Sequence, residues 1–150
     1  MKKTIIMMIG LLTSTSFYSC DGLSPECVAD VAVTTLDAPA AVISGDVIEV
    51  VCVIKNVIST INECTNSGPC TAEVTRAYSP QYRDSFKDYE VLSTETVTLE
   101  SIEAGDQIID DVMHMETNQG PGYYAMQVKV DAPNDSRDSN NGRAVAIRAD

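Results

Sequence analysis

The feature that most constrains the fold of this chain is an alternating segment at residues 124–130. Tyr124, Met126, Val128 and Val130 place a large apolar side chain at every second position, and the residues between them are small or polar. Because successive side chains of a β-strand point to opposite faces, this pattern predicts a strand with one buried face. We therefore expect a central strand of an antiparallel sheet, with these four side chains forming its inward row.

Six further segments show strand patterns, and turn-rich stretches separate them. One of these, residues 47–55, is mostly apolar on both faces, which favours a central position in a sheet. No amphipathic helical stripe of three or more turns is present. Short strands that alternate with turns predict an all-β fold, a β-sandwich of about seven strands. The predicted strands are residues 30–36, 47–55, 71–78, 95–102, 107–116, 124–130 and 144–148.

A polar segment, residues 131–141, joins the alternating strand to the last one. It is rich in Asp, Asn and Ser, which bond their own backbone and favour turns, so we interpret it as an elbow. The alternative is a calcium site, because Ca²⁺ takes six to eight oxygen ligands, although the spacing does not match an EF-hand. Its candidate ligands are Asp131, Asp135, Asp138 and Asn140.

The N-terminus has the pattern of an export signal. Residues 1–19 contain two lysines followed by an apolar run that is too short to cross a bilayer of about 30 Å as a helix. Ser19 and Cys20 resemble the end of a bacterial lipoprotein signal, which implies that Cys20 is lipidated and becomes N-terminal. An ordinary cleaved signal is the alternative. Residues 20–29 then form a tether, and residues 30–150 form one domain in the bacterial cell envelope, either periplasmic or surface-exposed.

Charge and composition exclude several functions. The net charge of −12 argues against nucleic acid as a partner, because nucleic-acid binding requires a basic surface. No serine lies in a nucleophile-elbow setting, and His114 has no second histidine to act with it. We therefore predict a protein that is not an enzyme and has no cofactor.

Four cysteines follow Cys20, and an even set in an exported chain indicates two disulfides. The favoured pairs are Cys64 with Cys70 and Cys27 with Cys52, and the alternative is Cys52 with Cys70. A zinc site is disfavoured, because the chain has no CxxC motif and only one histidine.

The most aromatic part of the chain is the loop predicted between strands three and four. Tyr82, Phe86 and Tyr89 lie there beside Arg83, and aromatic rings next to arginine are typical of recognition surfaces. We propose these four residues as a binding surface. The alternative is that they pack against the sandwich.

Several of these segments, in this order, resemble the bacterial cell-adhesion-related domain abbreviated CARDB. The resemblance covers residues 29–148, and its most specific part is the elbow, where Asp135, Ser136, Asp138, Asn140 and Asn141 fit the family's motif. It implies an immunoglobulin-like or fibronectin type III-like antiparallel sandwich. The segments that carry it are residues 30–33, 45–56, 99–105, 122–124, 131 and 135–141.

Together these features predict a lipid-anchored, non-catalytic binding or adhesion module for an extracytoplasmic protein or glycan. A structural spacer or accessory subunit of an envelope assembly is the main alternative, and a calcium-binding module is a further one.

Overall fold

The computed structural model describes residues 28–57, 66–133, 135 and 137–150, without the side chains of residues 109–112 and 138. The predicted signal peptide, Cys20 and most of the predicted tether lie outside the described residues. The strands are β1 (Val31–Asp37), β2 (Ala41–Val42), β3 (Val47–Asn56), β4 (Cys70–Ser79), β5 (Glu90–Leu99), β6 (Gln107–Glu116), β7 (Gly122–Asp131) and β8 (Gly142–Ala149). Two short 3₁₀ turns are Phe86–Asp88 and Asp138–Asn140.

The strands form two sheets that pack face to face. One has the order β1-β3-β6, and the other has the order β2-β8-β7-β4-β5. Every pairing between these strands is antiparallel except the short parallel pair of β2 with β8. The all-β sandwich predicted from the sequence is therefore confirmed. None of the described residues form a helix long and apolar enough to cross a membrane.

The alternating strand is central, as predicted. β7 lies between β8 and β4, and Tyr124, Met126 and Val128 are each 0% exposed. Val130 completes the row at 4% exposure. These side chains meet the inner row of the opposite sheet, so that one apolar core fills the space between the sheets. Its other buried members include Val31, Val33, Ile48, Val50, Ile54, Ala72, Val74, Met113, Met115 and Ile147.

β3 is a central strand, but only one of its faces is buried. Ile48, Val50 and Ile54 point into the core, whereas Val47 and Val51 are 54% and 41% exposed. The predicted central position of β3 is confirmed, and its outer apolar residues stay exposed because no further layer lies on the outer side of this sheet among the described elements.

β5 begins earlier than the alternation predicted and ends before Ile102. Its exposed residues from Glu90 onward pair with β4. Ile102 is buried in a loop instead, where its N–H donates to Ser67 Oγ at 2.9 Å and its carbonyl accepts from Asn56 Nδ2 at 3.0 Å. These loop contacts satisfy the backbone of Ile102 in place of a strand ladder.

The Tyr124 hydroxyl fixes the turn that enters β7. It accepts from Gln119 N at 2.8 Å and donates to Gly120 O at 3.0 Å. A tyrosine near the start of a strand that bonds the backbone a few residues upstream is the tyrosine corner of immunoglobulin-like sandwiches. Burial raises the pKa of Tyr124, so this hydroxyl stays protonated to a higher pH than the hydroxyl of a free tyrosine.

Two arginines tie the sheets together. Arg76 on β4 donates from Nε to His114 O on β6 at 2.9 Å, and Arg143 on β8 donates from Nε to Val33 O on β1 at 2.6 Å. Each guanidinium therefore supplies a charged donor to a carbonyl of the opposite sheet, which makes these hydrogen bonds stronger than neutral ones.

Candidate functional site

The aromatic loop folds over the outer face of the five-stranded sheet. Tyr89, at the end of the loop, is only 6% exposed and packs against Ala77 and Ala125. Its hydroxyl bonds both the N–H and the carbonyl of Arg83 at 3.4 Å, which closes the loop on itself. Ser85 caps the 3₁₀ turn within it. These contacts hold the loop against the sheet.

A row of alanines makes room for the loop. Ala77 on β4, Ala125 on β7 and Ala146 on β8 lie opposite one another in register. The loop covers Ala77 and Ala125, whereas Ala146 stays exposed. Small side chains on three neighbouring strands let the loop approach the sheet closely, and they leave a shallow floor beside it.

A recess of about 180 Å³ lies between the loop and this floor. Tyr82, Arg83, Phe86 and Tyr89, the four predicted binding residues, all line it. Small-molecule sites are usually about 300–1,000 Å³, so this recess suits a single side chain rather than a whole ligand. The remaining lining residues are Asp84, Ala125, Ala144, Val145 and Ala146.

The four predicted residues have different roles. Tyr89 is buried and supports the loop, and Phe86 is half-buried and stacks on Tyr89 with ring centroids 6.3 Å apart. Tyr82 is 58% exposed. Arg83 is exposed as well, and among the described residues its guanidinium bonds only Ser79 Oγ, from Nε at 3.3 Å. The available recognition groups are therefore Tyr82 and Arg83, and burial against the sandwich accounts for Tyr89.

Tyr123 completes this surface, although the sequence analysis did not single it out. Its ring lies edge-on to Tyr82, with centroids 5.5 Å apart at an interplanar angle of 70°. Tyr123 is opposite Arg148 in the β7–β8 register. Asp150 lies 2.7 Å from Arg148 and raises the pKa of that guanidinium. The alternation of β7 predicts the outward position of Tyr123, because it places this residue on the face opposite Tyr124.

The elbow joins the two ends of the domain. Asn140 Nδ2 donates to Asp30 Oδ1 at 2.6 Å, and Arg137 pairs with the same carboxylate at 3.6 Å. Asp30 is 4% exposed, although its sequence pattern predicts only a strand position for it. Asp135 Oδ1 accepts from Arg137 N at 3.0 Å, which is the turn bond predicted for this segment.

Some oxygens of the elbow have no hydrogen-bond partner among the described residues. They are Asp135 Oδ2, Asn140 Oδ1 and Asn141 Oδ1, and all three are buried. Of the other proposed calcium ligands, Asp131 is exposed at the end of β7, and the side chain of Asp138 lies outside the described residues. Within the described part of the chain, no group of three or more His, Cys, Asp or Glu side chains is placed to hold a metal.

Cys70 is a thiol in this structure and is not in the predicted disulfide. It is 1% exposed, and its Sγ lies 3.1 Å from Ser67 Oγ. Burial raises the pKa of Cys70. No disulfide joins it to Cys52, the alternative partner, although both lie in the same core. Cys27 and Cys64 lie outside the described residues, so the pair Cys27–Cys52 stays a prediction.

Comparison with known proteins identifies the fold. No protein-family profile and no curated protein matches the chain. The crystal structure of the CARDB domain of the PF1109 protein from Pyrococcus furiosus, in complex with di-metal ions, is 15% identical, with a TM-score of 0.58 over 87% of this chain and 97% of that one. The solution structure of the same domain gives a TM-score of 0.52 at 15% identity over 82% and 96%. The chain therefore has the fold of a CARDB domain, as its sequence resemblance implied.

Proposed function

We propose that this chain is a non-catalytic binding module that recognises a protein partner outside the cytoplasm through its tyrosine surface. This surface consists of Tyr82, Arg83, Phe86 and Tyr123. The observation that carries the proposal is that Tyr82, a large aromatic residue, is 58% exposed on a loop that is otherwise anchored to the sheet. Tyrosine and arginine are enriched at the energetically important positions of protein interfaces.

The anchoring of the loop supports this function. Tyr89 bonds the backbone of Arg83 and packs on the alanine row, so that the position of Tyr82 is set before a partner arrives. A rigid recognition loop loses less conformational entropy on binding than a flexible one. The edge-on contact of Tyr82 with Tyr123 restrains the ring further.

The size of the recess favours a protein over a small ligand. A volume of about 180 Å³ accommodates one apolar or aromatic side chain of a partner. Arg83 and Asp84 at its border supply charges of both signs, as in the polar rim of an interface. The surface thus combines one central pocket with polar surroundings.

Lipidation at Cys20 places the module in the envelope in this proposal. The support is the signal-like pattern of residues 1–19 and the Ser19-Cys20 pair. Two or more acyl chains give stable membrane attachment, because each buried methylene contributes about 0.8 kcal/mol. The tether of residues 20–29 then joins the lipid to β1.

The test is quantitative affinity capture from envelope extracts with the mature domain as bait. We expect the wild type to enrich one protein that neither of the single variants Tyr82→Ala and Arg83→Ala enriches. Gln127→Ala, on the same face of the same sheet, is the matched control and should retain it. If no captured protein were lost with Tyr82→Ala and with Arg83→Ala, this surface would be refuted and the spacer function favoured, whereas enrichment on a glycan array would replace the protein by a glycan.

A second candidate function is cation binding at the elbow. The buried oxygens of Asp135, Asn140 and Asn141 favour it, because they have no hydrogen-bond partner within the described part of the chain. The structurally similar CARDB domain of PF1109 was crystallised in complex with di-metal ions. Calcium should then raise the melting temperature of the wild type but not that of Asp135→Asn combined with Asn141→Ala. An equal melting temperature in calcium and in chelator would show that these oxygens serve the turn alone.

A further inference from the structure

The five-stranded sheet has one long edge that pairs with no further strand among the described residues. At one side it ends in β2, which has two residues, but at the other it ends in β5, which has ten. β5 pairs with β4 and with no other described strand. Proteins usually shield such edges with Lys, Pro or very short strands, because the free N–H and C=O groups bind other strands. β5 contains neither Lys nor Pro.

The part of β5 from Ser93 to Leu99 is regular. It pairs without interruption with β4, from Arg76 opposite Ser93 to Cys70 opposite Leu99, and the irregularity lies beyond Arg76. Seven residues of strand span about 23 Å at 3.3 Å per residue. This length suffices for an added strand of ordinary size.

A cleft opens beside this edge, between β5 and β6. Its volume is about 340 Å³, and it is lined by Arg76 and Glu95 on one side and by His114, Met115 and Glu116 on the other. The guanidinium of Arg76 lies at this cleft. It bonds His114 O on β6, in the opposite sheet, and Glu95 on β5, in its own sheet. Inward side chains of a strand added to β5 would enter this cleft, since alternate side chains of a strand share a face.

The cleft has unused negative charge. Glu95 is 58% exposed and uses Oε2 for Arg76, and Glu116 is exposed and uses Oε2 for Asn118. The Oε1 atoms of both glutamates make no hydrogen bond to the described residues. β5 contains no basic residue, and Glu90 and Glu100 lie at its two ends. A complementary strand therefore carries lysine or arginine.

We propose that the edge of β5 binds an extended, basic segment of another protein by strand addition, with a lysine or arginine side chain reaching Glu95 and Glu116 in the cleft. Backbone hydrogen bonds to the edge supply affinity in this mode, and the cleft supplies specificity. A second copy of the chain fits poorly, because its own β5 would bring glutamates against glutamates on a protein of net charge −12. This surface is separate from the tyrosine surface.

The probe is an acetylated and amidated eight-residue peptide in which lysine alternates with valine. We expect it to bind the mature domain, to slow amide hydrogen exchange at alternate residues within 93–99, and to bind more weakly as salt is raised. The double variant Glu95→Gln with Glu116→Gln should lower its affinity about fivefold. Glu103→Gln, an exposed glutamate beyond the end of β5, is the control and should leave the affinity nearly unchanged, as should Tyr82→Ala.

Two control peptides separate strand addition from charge attraction. Replacement of every lysine by glutamate should abolish binding. N-methylation of every peptide amide should abolish it as well, because the carbonyl groups of β5 then find no N–H donors on the peptide. Equal binding of the N-methylated peptide, no protection within residues 93–99, or an unchanged affinity of the double variant would overturn the proposal. A stable dimer of the free domain by light scattering, with β5 protected, would overturn it in favour of a second copy.

Discussion

Tyr124→Phe tests the tyrosine corner, because it removes one oxygen and keeps the ring. The ring of Tyr124 packs against Tyr78 with centroids 5.0 Å apart, and phenylalanine retains that contact. The hydroxyl, however, bonds both Gln119 N and Gly120 O, and its loss leaves a partly buried donor and acceptor without partners. Such a loss costs about 1–3 kcal/mol. For a domain of this size, the melting temperature should fall by about 3–12 °C.

The pH dependence gives a second readout of the same group. Burial raises the pKa of Tyr124 in the folded protein, so the folded state holds its proton after the unfolded state has lost it. The contribution of the hydroxyl is complete below the unfolded pKa of about 10 and declines as the pH rises through the folded value. The difference in stability between wild type and Tyr124→Phe should therefore narrow above about pH 10.

Calorimetry and urea unfolding at neutral and alkaline pH measure both effects. Tyr82→Phe is the matched control, because the Tyr82 hydroxyl is bonded to no described residue and its removal should change stability by at most about 0.5 kcal/mol. If the two variants melted at the same temperature, the assignment of the Tyr124 hydroxyl to the turn would be refuted.

Three further predictions concern the core, the bond between the sheets and the anchor. Met126→Ala removes a fully buried side chain and should lower the free energy of unfolding in urea by about 2–5 kcal/mol. Gln127→Ala should change it by about 0.5 kcal/mol or less, and equal losses in the two variants would refute the strand register. Arg143→Ala breaks the bond to Val33 O and should cost about 1–2 kcal/mol in the same assay, and an unchanged midpoint would show that the contact contributes nothing. Metabolic labelling with a fatty-acid analogue should mark the wild type and not Cys20→Ala; an unlabelled wild type would exclude the lipid anchor.

The sandwich was predictable because its inner strands follow the period of two. The row from Tyr124 to Val130 lies in the core that its alternation predicted, whereas β3 is apolar on both faces, so its sequence predicted a central strand but not which face is buried. β5 was predicted, but with the wrong bounds, because all its residues from Glu90 to Thr96 are exposed and its position depends on pairing with β4. A strand that buries little carries little periodic signal.

The candidate site was only partly predictable for a related reason. Composition identified Tyr82, Phe86 and Tyr89 as a group, but their exposure depends on the loop's contact with Ala77 and Ala125, which belong to distant strands. No local pattern distinguishes Tyr89, which is buried, from Tyr82, which is exposed. The role of Asp30 in the elbow arises in the same way, because it meets Asn140 only in the folded domain.

The most direct test of the central proposal is site-specific photo-crosslinking in intact cells. A benzophenone amino acid replaces Asp84, which lines the recess, and in a control protein it replaces Glu49, an exposed residue on the opposite sheet. A protein partner at the tyrosine surface should give one crosslinked species from position 84 and none from position 49, and Tyr82→Ala should abolish it. No adduct at position 84, or an adduct that persists undiminished in Tyr82→Ala, would contradict the proposal.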